Sequence, residues 1–270
     1  QALRYHFVPP SIFPAVLGGL VSWASGIFYP WLFLLVLVVI IINHIGLNMT
    51  DDYFDYKHSV DRSKPGEKNP YTGGSGSLST GAIQPERMVW AFGLCYVVTI
   101  VAGLYLTFAR GFPVLFLGLI GVFCAVFYTA PPIRFGYRGL GELSLLFCFG
   151  PVIGLGAFYV QAQAFTVETF FATIPVGIMV FSLIIINEIP DIEEDRAAGK
   201  LTLVARFGRK AGTKLYVASW ICTYLAILVS AALGFVPVFA LLGFISLPLV
   251  FSSIRTLRAH FEDSLRMAPA

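Results

Sequence analysis

Residues 30–55 read PWLFLLVLVVIIINHIGLNMTDDYFD, a long apolar run closed by three aspartates, Asp51, Asp52 and Asp55. From Leu32 to Ile42 every residue is apolar, and the lack of alternation marks a helix rather than a barrel strand. A bilayer core of roughly 30 Å needs about 20 such residues in one helix. The run therefore crosses a membrane, and its end carries carboxylates to the water boundary.

Working outward with the same length criterion predicts eight spans, near residues 10–27, 31–56, 87–108, 112–129, 139–161, 167–189, 211–232 and 235–256. The expected fold class is all-α, a polytopic transmembrane helical bundle. Composition agrees: of 270 residues, 57% are hydrophobic and 12% charged, against about 25% charged in a soluble domain. So little charge cannot cover a soluble globule of this length, and a disordered chain is excluded by the same arithmetic. The four cysteines, Cys95, Cys124, Cys148 and Cys222, sit inside apolar runs without a Cys-x-x-Cys pair, which argues against a disulfide framework and against zinc. No cleavable signal peptide is readable, and the start at Gln1 reads as a trimmed N-terminus.

Eight spans put both termini, and the connections after spans 2, 4 and 6, on one side. Of the 18 Lys and Arg residues 17 fall there, Arg110 being the exception, so the positive-inside rule makes that side cytoplasmic. The rule says nothing of acids, yet 14 of the 15 Asp and Glu residues share the side, with only Glu168 opposite. Chemistry at the cytoplasmic face accounts for them. The chain reads as a single multi-pass cell-membrane domain over 1–270, with two long cytoplasmic polar segments, 51–86 and 188–210, and no nucleic-acid partner.

Span 2 closes on Asn48-Met-Thr-Asp51-Asp52-Tyr-Phe-Asp55, and span 6 on Asn187-Glu188-Ile-Pro-Asp191-Ile-Glu193-Glu194-Asp195. Both hold Asn-x-x-x-Asp followed by another Asp, 139 residues apart, which suggests a four-helix unit used twice, 1–138 and 139–270. Helix residues three, four and seven apart share a face, so Asn48, Asp52 and Asp55 point together, as do Asn187, Asp191 and Asp195. Clustered carboxylates repel and are costly at a membrane boundary, and a divalent cation relieves both problems. Mg²⁺ suits best, because it takes oxygen ligands and bridges one or two carboxylates to phosphate oxygens; no His or Cys stands in either cluster to favour zinc, copper or iron. Acids that merely solvate helix ends would explain one cluster more easily than two of matching pattern. Pro190 is ambiguous, and one reading is a simple break of span 6 that frees carbonyls near the site.

Cations stand close by: Lys57, Arg62, Lys64 and Lys68 after the first cluster, Arg196, Lys200, Arg206 and Arg209 after the second, Arg134 and Arg138 between spans 4 and 5. Lys64, Lys68, Arg209 and Lys210 read as salt bridges or orientation signal, whereas Lys200, Arg134 and Arg138 are candidate phosphate contacts. Mg²⁺ with Arg and Lys is the usual clamp for a leaving diphosphate.

On these residues the chain resembles the UbiA superfamily of intramembrane prenyltransferases, which move an isoprenoid chain from its diphosphate to a lipophilic acceptor. The family's first motif, Asn-Asp-x-x-Asp with a further Asp, is matched by Asp51-Asp52-Tyr-Phe-Asp55 and Asp61. Its second, Asp-x-x-x-Asp with a Gly-Lys-Thr-type stretch, is matched by Asp191, Asp195 and Gly199-Lys200-Leu201-Thr202. Tyr128-Thr129-Ala130-Pro131-Pro132, Tyr137-Arg138-Gly139-Leu140-Gly141-Glu142, Gly73-Gly74-Ser75-Gly76 and Phe13-Pro14-Ala15 resemble the menaquinone branch. Three departures stand out. Asp51 replaces the motif's Asn, leaving Asn48 as a substitute; Pro9 occupies a place where the family often has Arg, so one N-terminal cation is expected to be missing; and nine helices are implied, the ninth beyond Ala270.

The resemblance implies a polyprenyl diphosphate donor held by two Mg²⁺ between Asp51, Asp52 and Asp55 on one side and Asp191 and Asp195 on the other. Asn48, Lys57, Arg62, Arg134, Arg138, Asn187 and Lys200 are the implied donor contacts. The donor would ionise to an allylic carbocation, with Lys200 and Arg134 stabilising the departing charge and Tyr128, Tyr53, Phe54 and Tyr137 offering π-faces. A lipophilic, naphthoate-like aromatic acceptor would attack, deprotonated or oriented by Asp61, while the tail lies between helices against membrane lipid. Two alternatives stand beside this: prenyl transfer to a glycerol-phosphate ether-lipid precursor, and a secondary transporter. The transporter is disfavoured because the acids sit at one face rather than the midplane.

Overall fold

The computed structural model describes residues 4, 7–60, 74–263 and 265–270, and the described residues are helical without a strand. Prolines start the first helices. α1 (Pro9–Ala24), α2 (Pro30–Lys57), α3 (Pro85–Arg110) and α4 (Phe112–Phe127) each carry Pro within the first two positions, where no N–H is needed and the fixed φ suits a helix. α5 (Gly141–Phe147) and α6 (Ile153–Ala162) form one crossing, joined by a π-helical turn, Cys148–Val152, that contains Pro151; the wider turn absorbs the hydrogen bond that proline cannot make. α7 (Val167–Ala197) is capped by the Thr166 hydroxyl, which accepts from the Thr169 N–H. A short α8 (Leu203–Phe207), then α9 (Arg209–Ala232), a 3₁₀ stretch (Val238–Ser246) and α10 (Leu247–His260) follow.

Among the described residues six helical stretches are long and apolar enough to cross a membrane: Pro30–Lys57, Pro85–Arg110, Gly141–Ala162, Val167–Ala197, Arg209–Ala232 and Val238–His260. The remaining two of the eight expected spans are helices of only 16 residues, α1 and α4, about 24 Å long at 1.5 Å per residue. Large apolar side chains point outward, with Phe108 89%, Trp90 80% and Phe112 79% exposed, as a lipid-facing bundle requires. The architecture is that of a polytopic membrane protein.

α2 and α7 have the opposite character. With 28 and 31 residues they run about 42 and 46 Å, well beyond a core of roughly 30 Å. The surplus lies where the apolar run has ended, on the turns that carry Asp51, Asp52 and Asp55 and Asp191 and Asp195, and so lifts the carboxylates toward water. Pro190 does not break the helix: α7 continues through Pro175 and Pro190 to Ala197. Proline removes one intrahelical hydrogen bond, and packing keeps the segment helical, with Ile189 and Ile192 buried in a cluster with Val204, Tyr216 and Leu257.

Small residues bring the helices close. A Cβ on Gly18 of α1 would strike the Gly154 carbonyl of α6, and a Cβ on Gly154 would strike the Thr173 side chain of α7, so backbone approaches backbone in the way lipid-embedded bundles favour. At the end away from the acids, Arg110 closes the bundle. Its Nε and Nη2 donate to the Val160 and Gln161 carbonyls at 2.6 and 2.5 Å, its guanidinium lies 5.0 Å from the Tyr29 ring centre, and the Tyr29 N–H donates to Gln161 Oε1 at 2.6 Å.

Candidate active site

The acidic end of α7 stops on a glycine. Gly199 adopts φ +73°, a left-handed conformation that costs other residues about 1 kcal/mol or more. Its N–H donates to the Arg196 carbonyl at 3.1 Å and the Lys200 N–H to the Asp195 carbonyl at 2.7 Å, the paired bonds of a Schellman stop. The chain reverses there and sends Lys200 across to α2, where Nζ lies 2.6 Å from Asp55 Oδ2. Two acidic helix ends, four spans apart in the sequence, therefore meet through one lysine.

Asp55 is buried, and its other oxygen, Oδ1, accepts from the Tyr137 hydroxyl at 2.9 Å. Burial by itself lowers the Lys200 pKa, but the carboxylates of Asp55, Asp195 and Asp51 outweigh it and hold the ammonium well above the usual lysine range. Burial, then the charge of Asp55, pushes the Tyr137 phenol up. Both groups keep their protons and act as donors at any physiological pH.

A second cation reaches the α2 end. Arg4 Nη1 lies 3.4 Å from both Asp51 Oδ2 and Asp52 Oδ1, and the Ser75 N–H donates to Asp52 Oδ1 at 3.1 Å. The expectation that the N-terminus lacks its cation is thus corrected: Arg4 supplies one from ahead of Pro9 instead of at Pro9 itself. Asp51 Oδ1 and Asn48 Nδ2 are buried without a hydrogen-bond partner. Among the described residues no three His, Cys, Asp or Glu side chains gather around one point, and the donors at the α2 end are oxygens. Such a set suits an ion that takes one or two carboxylates and completes its shell from phosphate and water.

The remaining expected site residues divide. Arg134, held at φ +53°, places Nη2 2.5 Å from His58 Nε2 and its guanidinium 5.3 Å from the Tyr137 ring centre, so it borders the Asp55 contact. Tyr128 is half-buried just past the end of α4, and its ring lies against Gly141, where a Cβ would stand 2.9 Å from it. Asp195 is buried and Asp191 half-buried on α7. Lys57 is exposed, and Arg138 is exposed and donates to the Pro132 carbonyl at 3.0 Å; among the described residues neither is brought to an aspartate. Asn187 lines a separate cavity of about 430 Å³ with Met179, Ser182, Tyr216 and Trp220. Asp61, Arg62, Lys64, Lys68 and Gly73 lie outside the described residues. Sequence reasoning did not find Arg4, nor the Tyr137 hydroxyl as a partner of Asp55, and it gave no role to Glu142 within the Tyr137–Glu142 segment; that carboxylate is 0% exposed and accepts the Leu203 N–H at 2.5 Å.

Beneath this end lies an apolar cavity of about 320 Å³ between α2, α3, α4 and the α5–α6 crossing, lined among others by Asn43, His44, Leu47, Thr99, Leu117 and Phe149. Asn43 and Leu47 fall on the α2 face that continues to Asp51, and His44 on the face that continues through Asn48 to Asp52. Charged side chains at the helix end and an apolar cavity along the same helix faces fit a ligand with an anionic head and a hydrocarbon tail.

The sequence pattern of the UbiA prenyltransferase family matches residues 11–267. The chain is 30% identical over 232 residues to 1,4-dihydroxy-2-naphthoate octaprenyltransferase of Escherichia coli, covering 82% of this chain and 73% of that protein. It is 25% identical over 252 residues to the Bacillus subtilis protein of the same name, covering 92% and 78%. It is 30% identical over 259 residues to 2-carboxy-1,4-naphthoquinone phytyltransferase of Synechocystis, covering 95% and 79%. The lipid-facing helices, the paired acidic ends and this match over nearly the full length lead to one conclusion: the chain is an integral membrane enzyme that belongs to the UbiA prenyltransferase family.

Proposed function

We propose that the chain transfers a prenyl group from a polyprenyl diphosphate to a naphthoate-like quinone precursor, at the cytoplasmic face of the membrane and with magnesium. The observation that carries this reading is the contact of Lys200 with Asp55, which joins the two acidic ends directly above an apolar cavity. The naphthoate acceptor is favoured by the three relatives named above, which act on such rings by name.

Asp51, Asp52 and Asp55, with Asp191 and Asp195, would hold two Mg²⁺, whose part when bound is to neutralise the diphosphate and make it a better leaving group. The protein's own groups do the rest. Lys200 and Arg4 hold oxygens of the diphosphate, each already placed on an aspartate from which it can turn to a phosphate. Arg134 flanks them through His58 and Tyr137. The donor's C–O bond breaks toward the bound diphosphate, leaving an allylic cation that must be kept dry, and the Tyr128 and Tyr137 rings supply π-faces beside it. The cavity below takes the tail. An electron-rich carbon of the acceptor then attacks, and the proton it loses passes to a base, for which Asp61 is the candidate.

Purified protein in lipid nanodiscs, given radiolabelled geranylgeranyl diphosphate and 1,4-dihydroxy-2-naphthoate, should form prenylated naphthoate with Mg²⁺ and none after chelation. Equal product under chelation, or transfer to glycerol phosphate alone, would overturn the reading.

A further inference from the structure

We infer that Glu142 is a positioning residue for Lys200, holding the strap after α7 so that the ammonium stands over Asp55. The inference rests on the reading that Lys200 holds the donor's diphosphate.

Glu142 lies in the first turn of α5 with none of its surface exposed. A carboxylate so placed costs stability unless it is well held. Oε1 is held by the Leu203 N–H at 2.5 Å, and the carboxyl group shares a side-chain hydrogen bond with Glu188 of α7. The α7 group whose charge reaches it, Glu188, is a second acid and not a cation. Stability alone therefore does not explain an acid here. What it does achieve is to fix one main-chain N–H three residues beyond Lys200.

That bond belongs to a set. The Leu201 N–H donates to the Tyr137 carbonyl at 3.2 Å and the Lys200 N–H to the Asp195 carbonyl at 2.7 Å. Residues 200, 201 and 203 are thus tied in turn to the end of α7, to the approach to α5 and to α5 itself. Tyr137, which contributes one tie through its carbonyl, also donates its hydroxyl to Asp55, the group that Lys200 meets. The 137–142 stretch consequently sets both halves of the contact, Asp55 through the Tyr137 hydroxyl and Lys200 through the strap. Removing the Glu142 carboxylate frees the strap on one side and leaves the Lys200 backbone tied only by Asp195 and the neighbouring Leu201 bond.

The test is a double-mutant cycle in nanodiscs, reading donor and acceptor KM, kcat, and binding of geranylgeranyl thiodiphosphate, an analogue that ionises poorly. Glu142→Ala and Lys200→Ala should each weaken donor affinity about tenfold or more while acceptor KM stays within about twofold. The double variant should be no worse than Lys200→Ala beyond about twofold, because Glu142 acts only through the lysine. Glu142→Gln keeps an oxygen for the Leu203 N–H and should return to within about threefold of wild type. Leu203→Pro removes that N–H from the opposite side. Proline is tolerated at the first residue of a helix, and Thr202 before it already has φ −60° and ψ 169°, which suits a residue preceding proline. This variant should reproduce Glu142→Ala, and it carries the cycle should the alanine variant fail to fold. Losses that multiply in the double variant, or that strike donor and acceptor alike, would make Glu142 merely structural and overturn the inference. Wild type that fails to bind the thiodiphosphate would instead overturn the functional reading beneath it.

Discussion

The two ends of the bundle both hold charge, and they hold it differently. At the closed end one cation, Arg110, spends its donors on main-chain carbonyls of Val160 and Gln161, groups that can neither move nor leave. At the acidic end Arg138 and Arg196 likewise bond main-chain carbonyls, but the two cations that reach the α2 aspartates meet side chains: Arg4 on Asp51 and Asp52, Lys200 on Asp55. There, buried polar atoms such as Asp51 Oδ1 and Asn48 Nδ2 also stand without a hydrogen-bond partner. A cation bonded to helix-terminal carbonyls is a fastener, since breaking it exposes backbone. A cation resting on a carboxylate can exchange that partner for a phosphate of like charge and geometry. The contrast separates stability from chemistry along one axis of the molecule.

Substitutions can break that contrast or sharpen it. The largest effect is expected from Asp55→Ala, which removes the partner of the Lys200 ammonium and a proposed ion ligand together; prenyl transfer should fall by roughly a thousandfold, a barrier increase of about 4 kcal/mol. Folded protein with wild-type turnover would end the site assignment. Next, Lys200→Ala should raise the donor KM by about ten- to a hundredfold, the value of a charge-assisted hydrogen bond, read from initial rates at saturating acceptor. At the opposite end Arg110→Ala should do the reverse: melting in detergent should fall by about 5 °C, for a loss of about 2 kcal/mol, with kcat of the surviving enzyme within about twofold of wild type. A catalytic defect without a stability defect in that variant would erase the distinction between the ends. The smallest effect is expected from Tyr137→Phe, which deletes one hydrogen bond to Asp55 worth about 1 kcal/mol; turnover should drop about fivefold and folding should hardly change.

The bundle is legible in the sequence because membrane spans announce themselves by length and composition alone, and α2, α3, α7 and α9 fall where apolar runs reach the required length. The meeting of the two acidic ends is legible too, since like-charged clusters of matched spacing at one membrane face make chemical sense only if they share a ligand or a counter-charge. What the sequence conceals has a physical cause in each case. Arg4 stands 47 residues from Asp51 in an unremarkable stretch, and only the fold brings it back. The Tyr137 hydroxyl is hidden because an aromatic beside a motif looks like packing, and Glu142 because an acid opening a helix looks like a helix start. Asn187 misleads through symmetry: its spacing copies that of Asn48, but the α7 face it occupies turns to another cavity. Pro190 is ambiguous by propensity, which tertiary packing around Ile189 and Ile192 overrides.

The short α1 and α4 impose a condition on the surrounding lipid. At 16 residues each, they fall about 6 Å short of an ordinary hydrocarbon layer, and a mismatch of this kind is met by local thinning of the bilayer or by flanking side chains that reach to the interface. α4 also walls the apolar cavity through Val114, Leu117 and Val122. Thinning beside it draws headgroups toward the cavity flank and shortens the path by which a molecule dissolved among acyl chains reaches the aspartates. The thickness of the host membrane thus becomes part of how this enzyme meets its substrates.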